Sequence, residues 1–105
     1  MLERDYQAHL IKRLKRDFPG CIVLKNDSGY IQGIPDLTML WGNRWGVLEV
    51  KISYDSEEQP NQRWYIETMN QMSIADFIYP ENEDEVLDGF QQAFRSGGPT
   101  CFPKR

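Results

Sequence analysis

The sequence predicts an α/β domain with the element order α-β-β-β-α-β-α. Three observations carry that expectation: an apolar stripe of helical period near the N-terminus, two strand-like runs flanking a Gly-Asn pair, and a helix–strand–helix succession in the second half. At 105 residues the chain fits one domain, 1–105. A 40% hydrophobic content rich in Phe, Tyr and Trp argues against disorder.

Tyr6, Leu10, Ile11, Leu14 and Phe18 follow helical spacing, and Pro19-Gly20 ends the run. Glu3 and Gln7 fall inside that apolar stripe, where a polar residue needs a reason, while Lys12 and Arg16 fall on the opposite, solvated face. Cys21–Lys25 suits a strand, and Asn26–Gly33 is a polar, glycine-containing loop. Ile34–Leu40 and Trp45–Lys51 read as two strands joined through Trp41-Gly42-Asn43-Arg44, with Gly-Asn as a two-residue hairpin turn. Ser56–Pro60 looks like a helix start: Ser56 and Gln59 have capping-box spacing and Pro60 suits a first helical position. Tyr65, Met69 and Met72 are then expected to face the core, with Gln62 at the edge of their stripe. Ser73–Tyr79 reads as a fourth strand and Glu83–Arg95 as a last helix with Val86, Leu87, Phe90, Ala93 and Phe94 inward.

Twelve basic and sixteen acidic residues leave a net charge of −4, the wrong sign for holding nucleic acid by bulk electrostatics. The distribution is uneven. Residues 1–25 carry six Lys/Arg against three Asp/Glu, whereas residues 76–88 carry six acids and no base. No apolar run has the length of a membrane span, and the charged start is not a signal peptide. Cys21 and Cys101 read as thiols of a reducing cytoplasm, with a single bridge as the alternative.

With Gly42 and Asn43 as the loop residues, hairpin pairing puts Asp36 directly opposite Glu49, their Cβ atoms ~4.5–5.5 Å apart. Lys51 shares that sheet face by alternation, while Leu37, Met39, Leu48 and Val50 point to the other, apolar face. Two like charges so placed repel, and a divalent cation between them removes the conflict; hard oxygen ligands suit Mg²⁺. A one-residue slip separates the pair. On spacing alone, the plainer explanation is a surface cluster in which Lys51 neutralises both acids.

Ile34-Pro35-Asp36 followed by Glu49-Val50-Lys51 resembles the signature of the PD-(D/E)XK nuclease superfamily. Gly33-Ile34-Pro35-Asp36-Leu37, then Leu48-Glu49-Val50-Lys51, then Gln62, with Glu3 and Gln7 in the first helix, resemble its VRR-NUC group of small nucleases over residues 3–79. The resemblance implies a restriction-endonuclease-like α-β-β-β-α-β core, a mixed sheet flanked by helices, followed here by a C-terminal helix. It implies a Mg²⁺- or Mn²⁺-dependent endodeoxyribonuclease with Asp36, Glu49 and the Val50 carbonyl as metal ligands. Lys51 would orient or activate the attacking water, Glu3 would complete the site, and Gln62 would orient the lysine, a water or the phosphate. Glu3 as an exposed N-terminal residue and Gln62 as an ordinary helix-start residue are the structural alternatives.

The acidic total requires a local DNA track: Lys25, Arg44, Arg63, Lys51 and the tail residues Lys104 and Arg105 are its candidates, with the 76–88 segment facing away. Small stand-alone members of the group occur in phages and some resemble Holliday-junction resolvases. That implies structure-selective cutting of branched DNA by a homodimer in the host cytoplasm. His9 is assigned to solvent, and Trp41 and Trp45 to packing rather than base stacking. Two rival functions remain at this point: a non-catalytic nucleic-acid- or protein-binding module on the same fold, and a glycosidase using Asp36 and Glu49. The glycosidase is disfavoured because Lys51 would depress the carboxyl that a general acid needs raised.

Overall fold

Tyr6, Leu10, Leu14 and Phe18 are all buried, and the helix they drive, α1, spans Glu3–Asp17 in the computed structural model, which describes residues 1–96. Strand β1 (Ile22–Lys25) follows, then β2 (Leu37–Trp41), β3 (Arg44–Val50), α2 (Gln62–Met72), β4 (Ile74–Ile78) and α3 (Glu83–Arg95). The four strands form one sheet in the order β1-β2-β3-β4. β1–β2 and β2–β3 are antiparallel, and β4 returns parallel to β3 after the α2 crossover, so the sheet is mixed. A radius of gyration of 12.8 Å matches a compact domain of this size. Among the described residues, no helix is long and apolar enough to cross a membrane.

Alternation along the strands sorts the side chains into two layers. Leu37, Met39, Leu48 and Val50, with Ile74 and Ile78 of β4, pack against α1 and α3 in the larger core, as the hairpin register predicts. Val47, Ala75 and Phe77 face the other way and pack against Ile66 of α2. Glu49 lies between Leu48 and Val50 and therefore opens on the α2 side. The acidic α3 sits on the opposite layer. Part of its charge is absorbed there: Glu83 accepts from Tyr6 Oη at 2.7 Å and from Arg13 Nη1 at 2.5 Å, and Arg13 also reaches Asp84.

Several boundaries differ from expectation. β2 begins at Leu37 rather than Ile34, because Pro35 has no N–H to give a ladder, and the chain turns at residues 31–33 and runs irregularly to Asp36 instead. β2 and β3 run up to a Trp41–Arg44 pair around the turn, where Gly42 takes φ 62°. α2 starts at Gln62, six residues beyond Ser56: the Ser56 hydroxyl accepts from Ser53 N–H in its own turn, and Asn61 just before the helix is left-handed at φ 72°. The helix buries Ile66, with Met69 packed beside it, while Met72 lies about 120° around from Ile66 at 100° per residue and is 68% exposed rather than core.

Gly33 joins the loop before β2 to the start of α2. It has φ 87°, and a Cβ there would stand 2.6 Å from the Pro60 carbonyl oxygen and 2.7 Å from Asn61 Cβ. Gly33→Ala is expected to lower stability by ~1–3 kcal/mol from backbone strain alone. Urea denaturation measures it; a cost below about 0.5 kcal/mol would mean that the loop is not seated on α2 as described.

Candidate active site

The β2–β3 register pairs Leu37 with Leu48 and Trp41 with Arg44, so the line continues outward to Asp36 opposite Glu49. Asp36 stands one residue before β2 yet is tied to the sheet. Its carbonyl accepts from Asn26 N–H at 2.8 Å, and its Oδ2 accepts from Val50 N–H at 2.8 Å. Glu49 is only 2% exposed; its Oε2 accepts from Gln62 Nε2 at 2.9 Å and lies 3.9 Å from Lys51 Nζ. Lys51, also buried, donates to Gln62 Oε1 at 2.8 Å and to the Glu57 carbonyl at 3.0 Å. Gln59 N–H donates to the same Gln62 oxygen at 2.9 Å. Those donors fix the amide orientation: turned over, Gln62 would set its NH₂ against two donors and lose Glu49. The first residue of α2 therefore bridges the acid of β3 and the amine just beyond the strand.

The electrostatics of the pair are strained in the way the sequence suggests. Burial, then the charge of Asp36 and a hydrogen bond toward it, pushes the Glu49 carboxyl up to about 8, against the opposing pull of Lys51. Among the described residues, Glu49 Oε1 is buried without a hydrogen-bond partner. A proton on Glu49 supplies the missing link to Asp36; a cation supplies it equally. The residues present therefore fit a hard divalent ion, with two carboxylates as donors. No group of three or more His, Cys, Asp or Glu side chains converges among the described residues. An ion held here completes its shell with water, main chain or substrate, as Mg²⁺ does at two-carboxylate sites.

The remaining predicted site residues are placed unequally. Glu3, exposed in the first turn of α1, comes within electrostatic reach: burial and the charge of Asp36 raise its carboxyl and Lys51 lowers it. Val50 turns its side chain into the larger core and contributes main chain, its N–H holding Asp36. Lys25 is exposed at the end of β1 nearest Asp36, opposite Leu37. Arg44 stands apart from the carboxylate pair. It lies at the turn end of the hairpin, five residues or ~17 Å of strand from Glu49, and donates to the Ser96 carbonyl at 2.6 Å. Arg63 pairs with Glu58 through both Nε and Nη2 and lies 4.7 Å above the Phe77 ring, so its charge is already partly committed. Lys104, Arg105 and Cys101 lie outside the described residues. His9 is exposed, Trp41 stacks edge-on against Phe18 at 5.1 Å, and Trp45 packs with the α2-side core, as expected.

Two contributors escape the sequence pattern. Asn26 reads as a loop residue, with no local cue to its bonds around Asp36; Glu57 acts through its carbonyl, which carries no side-chain signature. A polar cleft of about 160 Å³, lined by Lys51, Ser53, Tyr54 and Arg63 among others, gives the buried lysine an approach from solvent. Comparison with protein-family models, curated proteins and solved structures returned no match.

Proposed function

We propose that this chain is a Mg²⁺- or Mn²⁺-dependent DNA endonuclease of the VRR-NUC group within the PD-(D/E)XK superfamily, acting on branched DNA as a homodimer. The observation that carries the proposal is the buried Glu49 with an unpartnered oxygen, opposed by Asp36 and locked to Lys51 through Gln62. Asp36 and Glu49 would hold the ion, with the Val50 carbonyl as the third protein ligand. When bound, the cation supplies Lewis-acid polarisation of a phosphoryl oxygen and lowers the pKa of a water molecule. The Lys51 ammonium orients the attacking water and offsets the negative charge that grows on the phosphate during in-line displacement. Gln62 holds amine and carboxylate in one geometry before substrate arrives, so little reorganisation accompanies the reaction. Lys25, at the rim, would bear on the approaching backbone, and Glu3 would complete the ion's site directly or through water.

Nicking of supercoiled plasmid and of a four-way junction in Mg²⁺ tests this, with EDTA and Asp36→Ala as controls. Cutting in Mg²⁺ alone, abolished by the substitution, is the expected result. DNA binding without cutting under every metal condition would instead make the chain a binding module on this fold.

A further inference from the structure

We infer that Asn26 is a positioning residue for the carboxylate pair, setting Asp36 through the main chain; this rests on the metal-dependent function proposed above. Asn26 is the first residue beyond β1 and is half-buried. Its N–H donates to the Asp36 carbonyl at 2.8 Å, and its side-chain Nδ2 donates to the Pro35 carbonyl at 2.8 Å and to Thr38 Oγ1 at 2.9 Å. The three bonds grip positions 35, 36 and 38 and so straddle the acid.

The grip matters because of where the ladder stops. Regular β1–β2 pairing ends at Lys25 opposite Leu37, one residue short of Asp36. Pro35 has no N–H, so at that position the main chain can be held only through its carbonyl. Asn26 provides those donors from outside the sheet, and Val50 N–H holds the carboxylate from inside. An amide NH₂ can serve two acceptors at once; an isosteric carboxylate donates to neither. Groups that orient a metal ligand typically set ion affinity by ~10- to 100-fold without touching the ion.

The test is calorimetric Mn²⁺ titration at pH 8 of the wild type, Asn26→Asp and Thr38→Val, with circular dichroism to establish that each is folded. The two candidate effects of Asn26→Asp have opposite signs. Added negative charge beside a cation site tightens binding, whereas loss of the donors loosens Asp36. Weakening by ~10-fold is expected; equal or tighter binding overturns the inference. Thr38→Val removes one acceptor, keeps the bonds to positions 35 and 36, and is expected to weaken binding less. A loss as large as that of Asn26→Asp would assign the effect to general loosening of the loop and overturn it too. If Asn26→Asp does not fold, Asn26→Ser, which keeps a single donor, is expected to weaken Mn²⁺ binding, and wild-type affinity in that variant refutes the role. A wild type that binds no Mn²⁺ removes this inference and the nuclease proposal together. Wild-type binding with Asn26→Asp unchanged removes this inference alone.

Discussion

Lys51→Ala is expected to reduce metal-dependent nicking by ~10²–10⁴-fold while leaving Mn²⁺ binding measurable. Lys51 donates to Gln62 and to the Glu57 carbonyl and stays 3.9 Å from Glu49, so it is held beside the proposed ion site without being one of its ligands. In the proposed reaction its removal would take away the charge next to the phosphate but none of the oxygen donors. It also removes a group that pulls the Glu49 carboxyl down, so ion binding should move to higher pH. Single-turnover rates and Mn²⁺ affinities measured side by side from pH 7 to 9 separate the two effects. Lys51→Arg should not restore the rate, because a planar guanidinium cannot replace a compact ammonium in this buried space. Wild-type cutting by Lys51→Ala would remove the lysine from the mechanism.

Glu49→Gln is expected to abolish Mn²⁺ binding and, in the absence of metal, to make the protein more stable at pH 8. In the native state the Glu49 carboxyl keeps its proton to about pH 8, whereas an unperturbed Glu releases it near 4.5. Between those values the native state binds more protons than the unfolded one. Raising the pH therefore favours unfolding, by up to ~1.4 kcal/mol per pH unit from this group. Stability from this source is complete below about pH 4.5, declines through the window, and levels off above about 8. Gln carries no proton to lose and still offers an NH₂ to Asp36, so the decline should vanish in the variant. Mg²⁺ should flatten the wild-type curve in the same range, since the cation takes the place of the proton. Urea denaturation at pH 5, 6.5 and 8, with EDTA or Mg²⁺, measures all of this. Parallel pH profiles for wild type and Glu49→Gln would show that the carboxyl is not raised.

Much of this arrangement was legible because it is local or periodic. Two loop residues determine which positions of a hairpin face each other, so Gly42-Asn43 was enough to place Asp36 against Glu49 and to send Leu48 and Val50 to the opposite core. Gln62 was found at its predicted position even though the helix carrying it begins later than Ser56 suggested. What escaped depends on side chains meeting groups far away in sequence. Asn26 bonds to residues nine and twelve positions on, Arg13 reaches across seventy positions to Glu83, and Arg44 spends its charge on Ser96. Nothing in the one-dimensional pattern distinguishes these from solvated polar residues. Met72 differs for another reason: α2 centres its buried face on Ile66 rather than on the Tyr65, Met69 and Met72 stripe.

On the reading proposed here, Asp36 and Glu49 jointly hold one divalent ion. Anomalous scattering from crystals grown near pH 8 and soaked in Mn²⁺ tests it most directly. A single peak ~2.1 Å from carboxylate oxygens of both residues is the predicted result. An ion bound elsewhere, or none at this pair while Mn²⁺ saturates other sites, would contradict it.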